Sequence, residues 1–371
     1  MPSQAAIAFG LLIPVTLVFA RTFSQNSTPM NKMAVSPPPR PQRPPFSSIW
    51  TQMYPPSPPF TEKRLPDLGG KVYVVTGASG GVGKEVARIL YSKNAKVFIA
   101  ARSEKKATAA IADIQATCPK SKGSLVFQHL DLADLATIKG SAESITSQEK
   151  RIHVLFNNAA VQALENDAPK TAQGHEIHFG VNVLGNFLFA KCLTPTLVQT
   201  AKTEPAGSVR MVWVSSLGLE MVGEMSHGIT LDYLKYWPAC KPLERYGISK
   251  AGNWLYAVEF ARRYKADGVV SVPCNPGHLR SDLYRDGGFL FRTIINAFIA
   301  YPSKYGAYTE VFSGLSPSLT INDTGKWVVP WGRVHPLRED LHVAAKPVTE
   351  GGNGHSKAFW DWSEDQVKEF L

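Results

Sequence analysis

The chain has 371 residues, of which 44% are hydrophobic and 19% are charged, so it can fold around an apolar core as one large domain or two ordinary ones. The formal net charge is +10, but residues 1–65 hold six Lys or Arg against one acid and so carry half of it. No Lys/Arg block with interleaved aromatic residues occurs, which argues against nucleic acid binding. The four cysteines are Cys118, Cys192, Cys240 and Cys274. They are far apart and lack metal-ligand spacing, so we expect reduced thiols rather than a metal site or a disulfide framework.

The N-terminal segment, residues 1–22, contains a charge-free apolar run at residues 5–20 that includes Pro14. Three interpretations stay open: a membrane anchor, which we favour, a secretory signal peptide, and a dispensable extension or misassigned start. Lys and Arg follow the run and none precedes it, which orients an anchor with the remaining chain in the cytosol, for example at the endoplasmic reticulum. A sequon at Asn26 would be glycosylated only if this segment entered the lumen. We expect a membrane-anchored, cytosol-facing domain, with a cytoplasmic or a secretory protein as alternatives.

Residues 23–64 form a second segment, in which proline recurs between positions 29 and 59. Proline fixes φ and removes a hydrogen-bond donor, so the pattern predicts no helix and no central strand here. We interpret the segment as an extended, semi-rigid linker. A weaker alternative is that it binds SH3 domains, since its short proline motifs resemble SH3 ligands. A single folded domain is then predicted for residues 65–371.

A glycine-rich turn follows the first predicted strand of that domain. Residues 71–76 are rich in β-formers, residues 81–92 have helical apolar spacing, and residues 95–101 form a continuous apolar run. Gly77, Gly81 and Gly83 lie between the strand and the helix. Such glycines let the backbone approach a pyrophosphate that lies at the helix N-terminus. The pattern predicts a dinucleotide site, and a merely structural turn is the less favoured alternative.

The end of the second predicted strand indicates which dinucleotide binds. A carboxylate there would hold the 2′-hydroxyl of NAD, but the chain has Ala101, Arg102 and Ser103, with Glu104 as the first acid. An arginine at this position suits a 2′-phosphate. We therefore expect NADP(H) rather than NAD(H).

Strands and helices continue to alternate along the domain. Strands are predicted at residues 125–130, 153–160, 209–216 and 269–274, and helices at 135–145, 174–197 and 244–264. A final helix is predicted near the C-terminus with Ser363 as its N-cap. Repeated β-α units predict an α/β fold of the Rossmann type: one domain with a doubly wound parallel sheet and helices on both faces.

Tyr246 and Lys250 lie four residues apart in a predicted helix and so share a face. Alone, this pair is compatible with chemistry or with an ordinary solvated face. Together with motifs elsewhere, the chain resembles the short-chain dehydrogenase/reductase family from about residue 65 to 331. The resemblance is strongest to its retinol-dehydrogenase-like branch, with fungal members and relatives of the WW-domain oxidoreductases. The motifs occur in the family's order: TGASGGVG, Asp131-Leu132, NNAA, Asn182, Ser216, YGISK and NPGHLRS.

The resemblance implies catalytic roles for four residues. Tyr246 would protonate a carbonyl oxygen as hydride arrives, or act as the base in the reverse direction. Lys250 would favour the phenolate, lower the pKa of that tyrosine and bond the nicotinamide ribose. Ser216 would hold the substrate oxygen, and Asn182 would position a water for proton relay.

The resemblance also implies contacts to the cofactor. Asp131 would meet the adenine amino group, Asn158 would lie beside the adenine ribose, and Pro276, Gly277 and Ser281 would hold the nicotinamide carboxamide. Asn158 as a turn residue and Ser281 as a helix N-cap are the structural alternatives. The full set comprises Gly77, Ser79, Gly81, Val82, Gly83, Arg102, Asp131, Leu132, Asn158, Ala159, Tyr246, Lys250, Pro276, Gly277 and Ser281.

We expect an NADPH-dependent carbonyl reductase or alcohol dehydrogenase that acts on a hydrophobic small molecule, for example in a lipid or secondary-metabolite pathway. Three alternatives stay open. The first is non-redox chemistry on the same scaffold, such as epimerisation or dehydration. The others are a non-catalytic NADP-binding regulatory module and a membrane-tethered adaptor that works through the proline-rich segment. The sequence leaves the substrate, the direction of reaction and the oligomeric state open.

Overall fold

An eight-stranded sheet forms the centre of the fold, in the order β3-β2-β1-β4-β5-β6-β7-β8. The computed structural model describes residues 44–165, 168–221, 231, 234, 240–279 and 301–371. Neighbouring strands are parallel except for β7 and β8, which are antiparallel. The strands are β1 (Val72–Thr76), β2 (Lys96–Ala101), β3 (Ser124–His129), β4 (Val154–Asn157), β5 (Arg210–Val214), β6 (Val270–Cys274), β7 (Val328–Val329) and β8 (Arg333–Val334).

Helices cover both faces of this sheet, as predicted. They are α1 (Phe46–Met53), α2 (Gly81–Tyr91), α3 (Glu104–Thr117), α4 (Leu135–Gln148), α5 (Asn186–Ala201), α6 (Gly218–Met221), α7 (Pro242–Tyr264), α8 (Ser303–Leu315), α9 (Glu339–Ala345) and α10 (His355–Val367). The apolar side chains of β1 alternate between the faces: Val74 packs in the cluster with α4, α5, α7 and α10, while Tyr73 and Val75 pack with α2, α3 and α8. The predicted doubly wound α/β fold is confirmed.

The strand order reverses at β1, which pairs with β2 on one side and β4 on the other. Tyr73 aligns with Val97 of β2 and with Val154 of β4. At such a switch point, the connections from the two strands leave toward opposite faces and open a crevice at the carboxyl ends. A ligand site is therefore expected beside Thr76, where β1 ends.

The predicted helix over residues 174–197 consists of two pieces. A π-helical segment at His178–Gly185 continues directly into α5. Two glycines allow this wider segment to pack closely: a Cβ on Gly180 would lie 2.2 Å from Thr171 Cγ2, and one on Gly185 would lie 2.4 Å from the Leu132 carbonyl oxygen. π-Helical turns are frequent at functional sites, and this one contains Asn182. Apolar spacing alone did not distinguish it from an ordinary helix.

The expectation that the proline-rich segment contains no helix is wrong for residues 46–53. These residues form α1, which begins directly after Pro45, where a missing N–H costs no helical hydrogen bond. Ser48 and Gln52 of α1 are buried, and Phe60 belongs to the apolar cluster that contains Val75. Packing against the sheet therefore begins before residue 65. Residues 1–43, which include the apolar run and half of the proposed linker, lie outside the described part.

Two further observations concern helices. Ser363 lies inside α10 rather than at its N-cap, because the helix begins at His355; its hydroxyl bonds the Phe359 carbonyl and the Tyr256 hydroxyl. Within the described residues, the stretch His178–Ala201 is long and apolar enough to cross a membrane, but 72% of its most apolar window is buried in the protein. Such burial is typical of a helix that packs in the core against the sheet.

Candidate active site

The glycine turn lies between β1 and α2, at the carboxyl edge of the sheet. Gly77 has φ of +70° and donates its N–H to the Ala100 carbonyl at 2.8 Å, while Gly81 has φ of +55°. Open space surrounds Gly81, where an added Cβ would meet nothing within 4 Å. The next residues, Val82 and Gly83, form the first turn of α2, whose N–H groups lack partners within the helix.

Asn158 joins this turn to the end of β4. Its Nδ2 donates to the Thr76 carbonyl at 2.7 Å, and the backbone N–H of Ala159 donates to Thr76 Oγ1 at 2.8 Å. A Cβ on Gly83 would lie 2.5 Å from Asn158 Nδ2, so only glycine fits there without displacing the amide. Asn158 therefore does more than close a local turn: it ties β1, β4 and α2 together at the switch point.

The ends of β2 and β3 flank this crevice. Arg102 is exposed directly after β2, and Ser103 caps α3 by accepting the Lys106 N–H. After β3, Asp131 accepts the Ala133 N–H through Oδ1 at 2.9 Å, and the next residue, Leu132, is buried. The fold thus brings the residues predicted for the adenosine half of a dinucleotide to one edge of the sheet.

Tyr246 and Lys250 lie on the inner side of α7, where both are buried, with 8% and 2% exposure. Lys250 Nζ lies 5.8 Å from the centroid of the Tyr246 ring and donates to the carbonyl of Val214, the last residue of β5, at 2.8 Å. The exposure excludes the interpretation of this pair as part of a solvated helix face. Burial lowers the pKa of Lys250 to about 8.

The two serines after β5 have different surroundings. Ser215 is buried and donates its hydroxyl to the Lys250 carbonyl at 2.7 Å. Ser216 is only half-buried, and its Oγ accepts the Gly218 N–H at 3.1 Å. Ser215 therefore holds α7 against the sheet, while Ser216 keeps a hydroxyl proton to donate.

Asn182 links three parts of the site. Its Oδ1 accepts the Val161 N–H at 2.8 Å, and its Nδ2 donates to the Val161 carbonyl at 2.9 Å and to Ser249 Oγ at 3.0 Å. Its own carbonyl accepts the Asn253 side-chain amide at 2.7 Å. The loop after β4 and the tyrosine-bearing turn of α7 are therefore held together by one buried amide.

The loop after β6 forms the opposite wall. Gly277 has φ of +95° and donates its N–H to Asn275 Oδ1 at 3.0 Å, and its missing Cβ would lie 2.7 Å from the Trp331 ring. Pro276 precedes it, and the Pro276 carbonyl lies against Gly306 of α8. Ser281 lies outside the described residues, as does most of the segment between Ser216 and Tyr246.

His178 is a neighbour of Tyr246 that the sequence did not assign to the site. Its ring centroid lies 6.2 Å from that of Tyr246 in an edge arrangement. Nε2 accepts the Ala163 N–H at 3.0 Å, which leaves the ring proton on Nδ1, 2.6 Å from Glu176 Oε1. The ring is buried and bonded through both nitrogens, as in a packing residue.

The residues present fit a dinucleotide cofactor. The open backbone around Gly81, the helix N-terminus behind it and the clamp by Asn158 make a place for a pyrophosphate. A hydroxyl from Ser216 and the buried Tyr246 and Lys250 lie at the ends of neighbouring elements near the same edge. In the described ranges, no group of three or more His, Cys, Asp or Glu side chains is arranged to hold a metal ion.

Comparison with known proteins agrees with this geometry. The family model described as short chain dehydrogenase matches residues 71–226. The chain is 57% identical over 329 residues to short-chain dehydrogenase/reductase bet4 of Neocamarosporium betae, covering 88% of this chain and 95% of the relative. It is 58% identical to sthC of Phaeosphaeria nodorum, covering 76% and 90%. The chain belongs to the short-chain dehydrogenase/reductase family. This short-chain dehydrogenase/reductase is therefore an oxidoreductase that uses a nicotinamide cofactor and a small-molecule substrate.

A solved structure shows the same fold over most of the short-chain dehydrogenase/reductase domain. An uncharacterised protein from Mycobacterium paratuberculosis superimposes with a TM-score of 0.59 at 25% identity, covering 83% of this chain and 97% of the other. One departure from the family's pattern is the alanine of NNAA in place of glycine. Among the described residues other than glycine, positive φ occurs at Asn94, so Ala160 is not in the left-handed region.

Proposed function

We propose that this short-chain dehydrogenase/reductase is an NADPH-dependent carbonyl reductase or alcohol dehydrogenase whose catalytic pair is Tyr246 and Lys250. The observation that carries the proposal is the burial of both side chains next to the end of β5, with Lys250 Nζ 5.8 Å from the Tyr246 ring. A buried ammonium beside a phenol stabilises the phenolate, which is the form that tyrosine takes after it donates a proton. The bound cofactor supplies or accepts the hydride.

The remaining residues act around this proton transfer. Tyr246 donates its hydroxyl proton to the carbonyl oxygen in reduction and removes it in oxidation. Ser216 donates a hydrogen bond to the same oxygen, for which its half-buried hydroxyl is suited. Asn182 supports proton relay by holding the Val161 backbone and Ser249, whose hydroxyl bonds the Tyr246 carbonyl. The exposed Met221, on the same connection as Ser216, favours an apolar substrate.

NADPH is preferred over NADH in this proposal because Arg102 follows β2 with no carboxylate at Ala101. The exposed guanidinium can pair with a 2′-phosphate, which NADH lacks. Calorimetry should give at least about tenfold tighter binding of NADPH than NADH, a difference of about 1.4 kcal/mol. Arg102→Ala should remove most of this preference, whereas Lys105→Ala on the exposed side of α3 should keep it. Equal affinities in the wild type would reject the assignment.

Turnover can be tested with a panel of apolar aldehydes and ketones, by following NADPH oxidation. We expect at least one compound to be reduced by the wild type and not by Tyr246→Phe. NADPH binding without oxidation of any panel member, in either direction, would favour a regulatory module. Conversion of a substrate without net change in NADPH would favour epimerase or dehydratase chemistry.

We also propose that residues 5–20 anchor the protein in a membrane with the catalytic domain on the cytosolic side, close to substrates of a lipid or secondary-metabolite pathway. Support comes from the charge-free run and from Arg21, Lys32, Arg40 and Arg43 that follow it. Carbonate-resistant membrane association and protease sensitivity without glycosylation at Asn26 are the expected results. Soluble full-length protein, or a glycosidase-sensitive product, would reject this placement.

A further inference from the structure

Gln52 of α1 is a buried amide that reaches two loops of the active site. The residue is 1% exposed. Its Nε2 donates to Glu220 Oε1 at 2.8 Å and lies 3.3 Å from Ser48 Oγ, and its Oε1 accepts from Asn275 Nδ2 at 2.9 Å. The two outer partners are 168 and 223 residues away along the chain, so this bridge exists only in the folded protein.

Each partner belongs to a loop that carries a proposed site residue. Glu220 lies in α6, four residues after Ser216 and on the same connection from β5. Asn275 directly precedes Pro276, and its Oδ1 accepts the Gly277 N–H at 3.0 Å. Because β5 and β6 are adjacent parallel strands, these two loops leave the sheet side by side. The amide of Gln52 spans the gap between them.

The position of Gln52 is set by contacts that do not involve either loop. Arg333 at the start of β8 donates from Nη1 to Thr51 Oγ1 and from Nη2 to the Thr51 carbonyl, both at 2.6 Å. These two bonds tie α1 to β8, the edge strand of the sheet, and Gln52 projects from the tied helix.

We propose that Gln52 is a positioning residue that sets the distance between the loops after β5 and β6, and so the place of the nicotinamide ring and of Ser216. This inference rests on the proposed function, because the loop after β6 is the one assigned to the nicotinamide carboxamide. The Asn275 side chain is bonded on both sides, by Gln52 and by Gly277. Without Gln52, Asn275 Nδ2 and Glu220 Oε1 lose a buried partner, and both groups are driven to rearrange toward others.

The role predicts an effect on one end of the cofactor only. Adenosine 2′,5′-bisphosphate carries the adenosine half of NADPH and lacks the nicotinamide, so it reports on the crevice near Arg102 and Asp131 alone. Gln52→Leu in the full-length protein should weaken NADPH binding about tenfold and lower kcat about tenfold, since a misplacement of reacting groups by about 1 Å can cost up to about 100-fold in rate. Binding of adenosine 2′,5′-bisphosphate should stay within about twofold of the wild type.

Thr51→Val is the matched control on the neighbouring residue of α1. It removes the Arg333 bond to Thr51 Oγ1 but keeps the bond from Arg333 Nη2 to the Thr51 carbonyl, which still holds α1 and Gln52 in place, so both affinities and kcat should match those of the wild type. Gln52→Asn keeps an amide that is one methylene too short to reach both loops. It should show the same selective loss of NADPH affinity if Gln52→Leu does not fold.

The outcomes separate this inference from the proposed function. Unchanged NADPH affinity and kcat in the Gln52 variants would overturn the positioning role, as would an equal loss of NADPH and adenosine 2′,5′-bisphosphate binding, which indicates general damage to the fold. A wild type that binds neither NADPH nor adenosine 2′,5′-bisphosphate would contradict the proposed function itself, together with the inference that rests on it.

Discussion

Glu310 is a buried acid whose replacement by glutamine should change stability in a pH-dependent way. It lies in α8 with no exposed surface, and neither of its carboxylate oxygens has a hydrogen-bond partner among the described residues. Burial raises the pKa of Glu310 to about 8 from its ordinary value of 4.5, and the charge of Lys250 opposes this only in part. The folded protein therefore keeps Glu310 protonated at neutral pH, whereas the unfolded chain ionises it.

The sign and size of the effect follow from linkage. Below pH 4.5 the acid is neutral in both states and costs nothing, between 4.5 and 8 the cost rises, and above 8 it is constant. pH 7 lies 2.5 units above the ordinary pKa of 4.5. At about 1.4 kcal/mol per unit, the buried acid therefore costs the folded protein about 3 kcal/mol at pH 7. Glu310→Gln keeps the shape and removes the ionisation, so the variant should gain this stability relative to the wild type.

Urea unfolding of both proteins between pH 5 and 9 measures the difference. We expect the free energy of unfolding of Glu310→Gln minus that of the wild type to rise by about 1.4 kcal/mol per pH unit up to about pH 8 and then to level off. Glu143→Gln, on the exposed side of α4, should show no such slope. A flat difference, or a variant that loses stability as the pH rises, would mean that Glu310 is ionised and paired in the folded protein.

Two further predictions concern the cofactor turn and the catalytic lysine. Gly83→Ala should lower NADPH affinity at least about tenfold, because its Cβ would lie 2.5 Å from Asn158 Nδ2 and push that amide off Thr76. The control Gly140→Ala in α4, where a Cβ meets nothing within 4 Å, should bind NADPH normally. An intact NADPH affinity in Gly83→Ala would refute the role of Asn158 as a clamp. Lys250, with a pKa lowered to about 8, is charged below that pH, so kcat/KM for reduction should fall as the pH rises through about 8. A profile that stays level to pH 9 would show that the lysine charge is not needed.

Local patterns predicted the parts of the molecule that depend on neighbouring residues in the sequence. Apolar runs between turns located β1, β2 and β6 to within a residue or two, and the spacing of Gly77, Gly81 and Gly83 identified the turn that the structure has. Tyr246 and Lys250 share a face because α7 forms across them. These features depend on the backbone geometry of a few consecutive residues, so the local sequence pattern is enough to predict them.

Features that arise from contacts distant in sequence were missed. α1 was predicted to be an extended linker because prolines surround it, yet its stability comes from Arg333 and from the buried Gln52. The N-cap assigned to Ser363 was wrong because the helix begins eight residues earlier, and the buried serine instead bonds Tyr256. The acid Glu310 carries no local signal either, since its pKa depends on burial under the sheet.

Replacement of Tyr246 by phenylalanine tests whether this tyrosine supplies the proton in catalysis. The variant removes one hydroxyl from a buried ring and leaves Lys250, Ser216 and the glycine turn unchanged. The measurement pairs calorimetry of NADPH binding with the rate of hydride transfer to the best carbonyl compound of the panel. We expect a dissociation constant for NADPH within about twofold of the wild type and a rate about 10²- to 10⁴-fold lower. A variant that transfers hydride at the wild-type rate would contradict it, because another group would then supply the proton.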